Sequence, residues 1–211
     1  MRILLDARTV GKEFSGVGNY VQELVQAFAG LDADHEFVLC VHGESRLRDR
    51  PLDARFRFRE VPFSHESHPP GDLWEHLVLP RIARRLSADV LHGPAFLIPT
   101  CRTRVAKVVT VHDLVAFVQR ETIPWKYALY MRWLIPRVVR AADRVLTVSE
   151  SVRRDVLGIL GADPARVEAI PLGASARFAP ADAAEVERVR ARHGLLRPYL
   201  LFVGNLEPRK N

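Results

Sequence analysis

The chain has 211 residues, 48% hydrophobic and 27% charged, with a formal net charge of +6 at neutral pH. Such a chain has room for one large globular domain or one and a half, and its composition excludes disorder; no run reaches the ~18 apolar residues of a membrane span. The positive charge comes mainly from arginines scattered through helical segments, without basic tracts or interleaved aromatics, so no nucleic-acid partner is expected.

The opening stretch, Arg2 to Gly30, reads as a strand, a glycine-bearing loop and a helix. Arg2-Ile3-Leu4-Leu5-Asp6-Ala7 is an apolar run that ends in a carboxylate. The loop Arg8 to Ser15 follows, then Gly16-Val17-Gly18-Asn19-Tyr20. From there Tyr20, Val21, Leu24, Val25 and Phe28 mark one face of a helix. Paired glycines before a helix allow close backbone approach, and first-turn N–H groups favour an anion, so this is a candidate phosphate or sugar cradle. Glycines that merely turn the chain are the equal alternative. A dinucleotide fingerprint is disfavoured, since Val21 stands where a third glycine belongs and Val41-His42 where an acid belongs. Asp6 also breaks the apolar run too early for a secretory signal. Two cysteines, Cys40 and Cys101, make no disulfide framework, so a cytoplasmic location is expected.

Strands and helices then alternate, the pattern of a doubly wound parallel sheet. Glu36 to His42 is the second strand, and Arg55 to Pro62, alternating charged and apolar, reads as a strand near an edge. Ser64 to Gly71 is a loop whose His65 and His68 lack further metal ligands, so a solvated loop is expected there. Leu73 to Leu86 is amphipathic, with Leu73, Leu77, Ile82 and Leu86 on the inner side, and Pro80 should kink or split it. Asp89 to Gly93 is a short strand ending at His92. Val105 to Val111 is the most apolar strand, expected at the centre, and runs into His112-Asp113-Leu114. Pro124 begins a helix carrying Trp125, Tyr127, Tyr130 and Trp133 among Lys126, Arg132, Arg137 and Arg140. Core packing with snorkelling arginines is the favoured reading, and contact with a membrane surface the alternative. Arg144 to Val148 is a strand with Ser149 as helix N-cap and Glu150 in the first turn, and Val167 to Pro171 is a further strand. Ala174 to Asp182 reads as a linker, Ala183 to His193 as a helix ended by Gly194, and Tyr199 to Val203 as a new strand.

In an open parallel sheet, ligands bind outside the carboxyl ends of the strands. The polar residues placed there are Asp6 with Gly16 and Gly18, His92, His112 with Asp113, and Ser149 with Glu150. His112 suits contact with a sugar hydroxyl or phosphate oxygen, or else it closes a strand end by bonding to backbone. Asp113 is either an active-site acid or a helix N-cap. Arg209 and Lys210 either clamp a diphosphate or are exposed loop charges. No Walker-type loop is present to support nucleotide hydrolysis.

An ordered series of motifs carries a resemblance. It runs through Asp6-Ala7-Arg8 with Gly16-Val17-Gly18-Asn19-Tyr20, then Thr110-Val111-His112-Asp113-Leu114, then Thr147-Val148-Ser149-Glu150-Ser151. Ile170-Pro171-Leu172-Gly173 with Arg177-Phe178-Ala179-Pro180 continues it, and Val203-Gly204-Asn205-Leu206-Glu207-Pro208-Arg209-Lys210-Asn211 completes it. The series resembles the first half of the retaining family-four (group 1) glycosyltransferases of GT-B fold, especially the bacterial mannosyltransferase-like branch. The resemblance implies a Rossmann-like N-terminal domain over residues 1–173, a linker and crossover helix over 174–197, and the first strand of a donor-binding domain over 198–211.

It further implies transfer of a hexose, with mannose the candidate, from a nucleotide-sugar to a growing glycan or lipid-linked saccharide. His112 and Asp113 take the catalytic positions. Gly16, Val17, Gly18, Asn19, Tyr20, His92, Ser149 and Glu150 line the substrate side. Arg209 and Lys210 neutralise the diphosphate leaving group without a metal or other cofactor. Asn205 stands where some members carry an arginine, so the clamp would rest on Arg209 and Lys210 alone. On this reading the 211-residue chain by itself is inactive, a cytoplasmic protein with possible contact to the inner membrane face, able to self-associate through its last strand. The alternative is a non-catalytic glycan-binding module or one chain of a split transferase.

Overall fold

The computed structural model describes residues 1–65, 70–175, 178–195, 197–204 and 206. The chain divides into two units, Met1–Leu172 and Gly173–Asn211. The first is built on seven parallel strands: β1 (Arg2–Asp6), β2 (Glu36–Val41), β3 (Phe56–Glu60), β4 (Val90–Gly93), β5 (Ala106–Val111), β6 (Arg144–Thr147) and β7 (Val167–Ala169). Their order across the sheet is β3-β2-β1-β4-β5-β6-β7. The order reverses between β1 and β4, which pair Ile3 with Val90 and Leu5 with His92. This reversal opens a crevice at the carboxyl ends, the usual ligand position in such sheets. The doubly wound expectation is borne out.

Alternation along the strands makes two cores. Leu5, Phe37, Leu39 and Val41 face α1 (Gly16–Ala29), which buries Val21 and Val25 against them. Leu4, Val38, Cys40, Leu91, Val109 and Val145 face the other way. They are covered by α2 (Pro70–Leu77), α3 (Leu79–Arg85), α5 (Trp125–Ala141) and α6 (Glu150–Leu160). A four-residue helix, α4 (Val115–Val118), links β5 to α5. The edge position expected for the charged third strand is borne out. The centre belongs to β4, however, with β5 beside it. High apolarity marks a strand buried on both faces, a condition every interior strand shares.

The helix split at Pro80 appears as α2 and α3, with Pro80 in the first turn of α3, where its missing N–H costs nothing. The inner face of α2 differs from the expected one. Leu73 and Leu77 are 60% and 49% exposed, while Trp74 and Glu75 are buried. The break frees α2 from the phase of α3, so the two segments do not share one stripe.

The second core correction concerns α5. Its buried side is Ala128, Met131, Leu134, Ile135, Val138 and Val139. The large residues at i, i+4 and i+8, Trp125, Leu129 and Trp133, are 70%, 63% and 53% exposed. The aliphatic residues outcompete the indoles for the sheet because they fit the flat interior without an N–H to satisfy. Among the described residues no helix is long and apolar enough to cross a membrane.

In the second unit, α7 (Ala183–His193) starts at Asp182, whose side chain accepts from the Glu185 amide, and ends at Gly194 as expected. Tyr199–Val203, expected as a strand, forms no ladder. A strand requires a partner for its N–H and C=O groups, and no described strand pairs with this segment.

Candidate active site

The carboxyl end of β1 is occupied by a buried charge cluster that sequence reasoning missed. Arg8 meets Asp6 through two bonds, Nε to Oδ1 at 2.8 Å and Nη2 to Oδ2 at 2.6 Å. The same Nη2 donates to Glu75 Oε2 at 2.7 Å, and the guanidinium lies 4.7 Å from the Trp74 ring. All three charged residues are buried. Burial alone would raise Asp6, but the Arg8 charge and hydrogen bonds outweigh it and hold the carboxyl below its ordinary value. Glu75 goes the other way: burial, then the Asp6 charge, push it up to about 8 against the pull of Arg8. The available signal was an arginine two residues past a strand-ending aspartate. A second was a glutamate, Glu75, four residues on from Gly71 and next to Trp74 on what proves the inner side of α2.

The two glycines after the loop differ in role. Ser15 caps α1, its Oγ accepting from the Gly18 amide at 3.0 Å. Both glycines thus lie inside the first turn of the helix, not before it. A Cβ on Gly18 would stand 2.6 Å from the Thr9 carbonyl oxygen, so that position admits no side chain; Gly16 has open space. Gly16 is exposed and Val17 half-buried at a helix end whose first amides have no intrahelical acceptor. Asn19 is half-buried one turn further in.

Tyr20 connects this helix to β5. Its ring meets His112 edge-on at 4.8 Å between centroids, and its hydroxyl is 3.3 Å from Thr110 Oγ1. His92 Nε2 is 3.0 Å from the same Thr110 oxygen. His92 does not line the rim: it is buried, and burial lowers its pKa to about 4, so it is a neutral core residue bracing Thr110. His92, expected on the substrate side, lies one residue inside the end of β4, level with Val108 of β5.

His112 does reach the rim. Its Nε2 lies 2.7 Å from the Pro94 carbonyl oxygen, to which it must donate, leaving Nδ1 as the acceptor in the neutral ring. Phe96 flanks it at 5.3 Å. Burial lowers the His112 pKa, and the Pro94 bond and Asp113 only partly offset that, so the ring is neutral at physiological pH. The loop that presents Pro94 is tightly made. A Cβ on Gly93 would fall 1.7 Å from the Leu97 oxygen, and Phe96 sits at φ 68° with its amide on the Thr110 carbonyl. A left-handed phenylalanine costs about 1–2 kcal/mol, and such outliers gather at functional sites.

Asp113 Oδ1 accepts from the Val115 amide at 3.1 Å, closing the turn into α4. Ser149 caps α6 through the Val152 amide at 3.2 Å, and Glu150 pairs with Arg153 at 3.2 Å. Both are engaged within their own helix. Ser149→Ala should therefore cost about 1 kcal/mol of stability, read from denaturant midpoints, as for other N-caps. A loss of several times that would show that the hydroxyl does more than cap. Arg209 and Lys210 lie outside the described residues, as does His68. His65 Nε2 is 3.1 Å from the Ala95 oxygen. Among the described residues no group of three or more His, Cys, Asp or Glu side chains is placed to hold a metal ion.

Glycosyltransferase Family 4 matches residues 14–177. The chain belongs to that family. It is 26% identical over 229 residues to the O-antigen chain mannosyltransferase B of Escherichia coli, covering all of this chain and 58% of that protein. A D-inositol 3-phosphate glycosyltransferase of Kineococcus radiotolerans is 40% identical over 75 residues, 35% of this chain and 17% of its own. Among solved structures, WaaG, a glycosyltransferase involved in lipopolysaccharide biosynthesis, superposes with a TM-score of 0.62 at 14% identity over 92% of this chain and 51% of its own. Anabaena Alr3699/HepE, solved in complex with UDP-glucose, gives 0.59 at 13% identity over 92% and 50%. At those identities the two structures speak to fold alone, and the expected N-terminal half of a GT-B glycosyltransferase is that fold. The chain spans little more than half the length of the mannosyltransferase and about half of each structure.

Proposed function

We propose that this chain is the acceptor-side half of a transferase moving a hexose, with mannose the candidate, from a nucleotide-sugar to a growing glycan or lipid-linked saccharide with retention. The observation that carries this reading is His112, held neutral at the switch-point rim with Nε2 fixed on Pro94 and Nδ1 left to accept. A fixed acceptor of that kind suits a sugar hydroxyl, and Tyr20 and Phe96 supply the flanking rings against which a pyranose packs. The N-terminal amides of α1 at Gly16 and Val17, ahead of the two that bond to Ser15, suit an anion. In this reading residues 1–173 form the acceptor-side domain, 174–197 the linker and crossover helix, and 198–211 the beginning of the donor-binding domain. Arg209 and Lys210 then neutralise the diphosphate as charge develops on it, without metal. The relatives named as mannosyltransferase and inositol-phosphate glycosyltransferase support this class of reaction.

The protein purified from its source cells, offered labelled nucleotide-sugars and a membrane extract of lipid-linked saccharides, should give a labelled glycan with one donor. Glycan binding without transfer from any donor would favour the binding-module reading instead.

The same reading places the protein at the cytoplasmic face of the membrane, touching it through α5. Trp125, Leu129 and Trp133 form one outward stripe, with Lys126 5.7 Å from the Trp125 ring and Arg137 4.2 Å from that of Trp133. Aromatic rings with cations beside them suit an anionic lipid interface. The chain should cosediment with vesicles containing phosphatidylglycerol, and Trp125→Ala with Trp133→Ala should weaken that by roughly tenfold. Equal binding by the double variant would remove α5 from the contact.

A further inference from the structure

The Asp6–Arg8–Glu75 cluster lies beside the site without belonging to its chemistry. Two carboxylates and one guanidinium are all buried, which is an expensive way to gain stability. Glu75 Oε2 takes the Arg8 bond, whereas Glu75 Oε1 is buried with no hydrogen-bond partner among the described residues. Two acids sharing one arginine carry a net negative charge in the interior if both ionise, which burial and the Asp6 charge oppose at Glu75.

Position gives the cluster its meaning. Arg8 is the second residue of the loop from β1 to α1, and Glu75 comes from α2, on the opposite side of the sheet. The next residue, Thr9, packs its carbonyl against Gly18 so closely that no side chain fits between them. Arg8 also donates its own amide to Asp6 Oδ1 at 3.2 Å. A path of direct contacts therefore runs from Glu75 through Arg8 and Thr9 to the first turn of α1.

We propose that Glu75 is a positioning residue: through Arg8 it fixes the loop that sets the N-terminal turn of α1, Gly16 to Asn19, against the substrate. This rests on the transferase reading of the site. The hold is the Arg8–Glu75 bond; burial and Asp6 oppose a second negative charge there, against the pull of Arg8, so ionisation of Glu75 strains the loop. The groups acting on the pair are Asp6 and Arg8 from β1 and its loop, Asp72 from α2, Tyr130 of α5 on Asp72, His65 on Asp6, and the Cys40 thiol of β2.

The test compares Glu75→Ala, Glu75→Gln and the unchanged protein by amide hydrogen exchange at pH 7 and pH 9, alongside transfer kinetics. Glu75→Ala should speed exchange roughly tenfold at residues 9–19 while β5 and β6 stay protected. Glu75→Gln should retain the slow exchange at pH 7 and, unlike the unchanged protein, keep it at pH 9. In transfer assays Glu75→Ala should raise KM more than it lowers kcat, and Glu75→Gln should restore it. Uniform loosening of the whole sheet, no local change at residues 9–19, or a glutamine variant as loose as the alanine one overturns the proposal. So does local loosening with unchanged kinetics. If the protein purified from its source cells transfers no sugar, the transferase reading fails, and the exchange data still decide whether Glu75 holds the loop.

Discussion

Replacing Arg8 with methionine lowers the melting temperature by roughly 10 °C. The substitution keeps much of the volume and the contact with Trp74, but leaves Asp6 and Glu75 buried without their cation. Removing one partner of a buried pair typically costs about 3–5 kcal/mol, because the remaining charge is stranded. Each kcal/mol is about 2–4 °C in a domain of this size. A shift within ~2 °C of the unchanged protein would mean that the carboxyls find water or protons at little cost.

The pH dependence of the two acids has opposite signs. Asp6 is held below its ordinary 3.8, so its contribution is present above that value and lost as pH falls through the lower folded one. Glu75 is raised from 4.5 to about 8, so its contribution is complete below 4.5 and lost as pH rises through about 8. The unchanged protein should therefore lose stability across pH 4.5 to about 8 relative to Glu75→Gln, which has nothing to ionise there. Parallel melting curves for the two proteins over that range would place Glu75 in a wetter setting than the fold gives it.

The second large effect is on transfer. His112→Ala should reduce kcat/KM by about 10²–10³, the scale seen when one preorganised hydrogen-bonding group is removed from an active site. Stability should change little, since the ring is only half-buried at a strand end. Because burial lowers the His112 pKa, the neutral form persists below the ordinary 6.5, and the acid limb of the rate profile should lie under that value. A limb above 6.5, or a fall of less than threefold in the alanine variant, would move the chemistry away from this residue.

Much of the frame was legible from the chain. Periodicity marked the strands, Pro80 marked a break, Ser149 marked a cap and Gly194 a stop, because each rests on local backbone rules. The order of the motifs along the chain pointed to the family. The misreadings came where neighbours decide. Local pattern put Leu73 and Leu77 inside, yet the break at α2 turned Trp74 and Glu75 inward. Local pattern likewise put the α5 indoles in the core, where aliphatic residues from the same helix proved the better fit to the sheet. His92 and His112 looked alike in sequence, each at a strand end. His92 lies inside its strand, level with Val108 of β5, whereas His112 follows the last residue of β5, so the first is buried and the second reaches the rim. Arg8 and Glu75 are 67 positions apart, and no sequence period links them.

The most direct measurement is a crystal structure of the protein soaked with its nucleotide-sugar and a saccharide acceptor. A sugar ring within hydrogen-bond distance of His112 Nδ1, beside Tyr20 and the first turn of α1, is the predicted result. A sugar bound elsewhere on Met1–Leu172, with this rim holding only solvent, would contradict it.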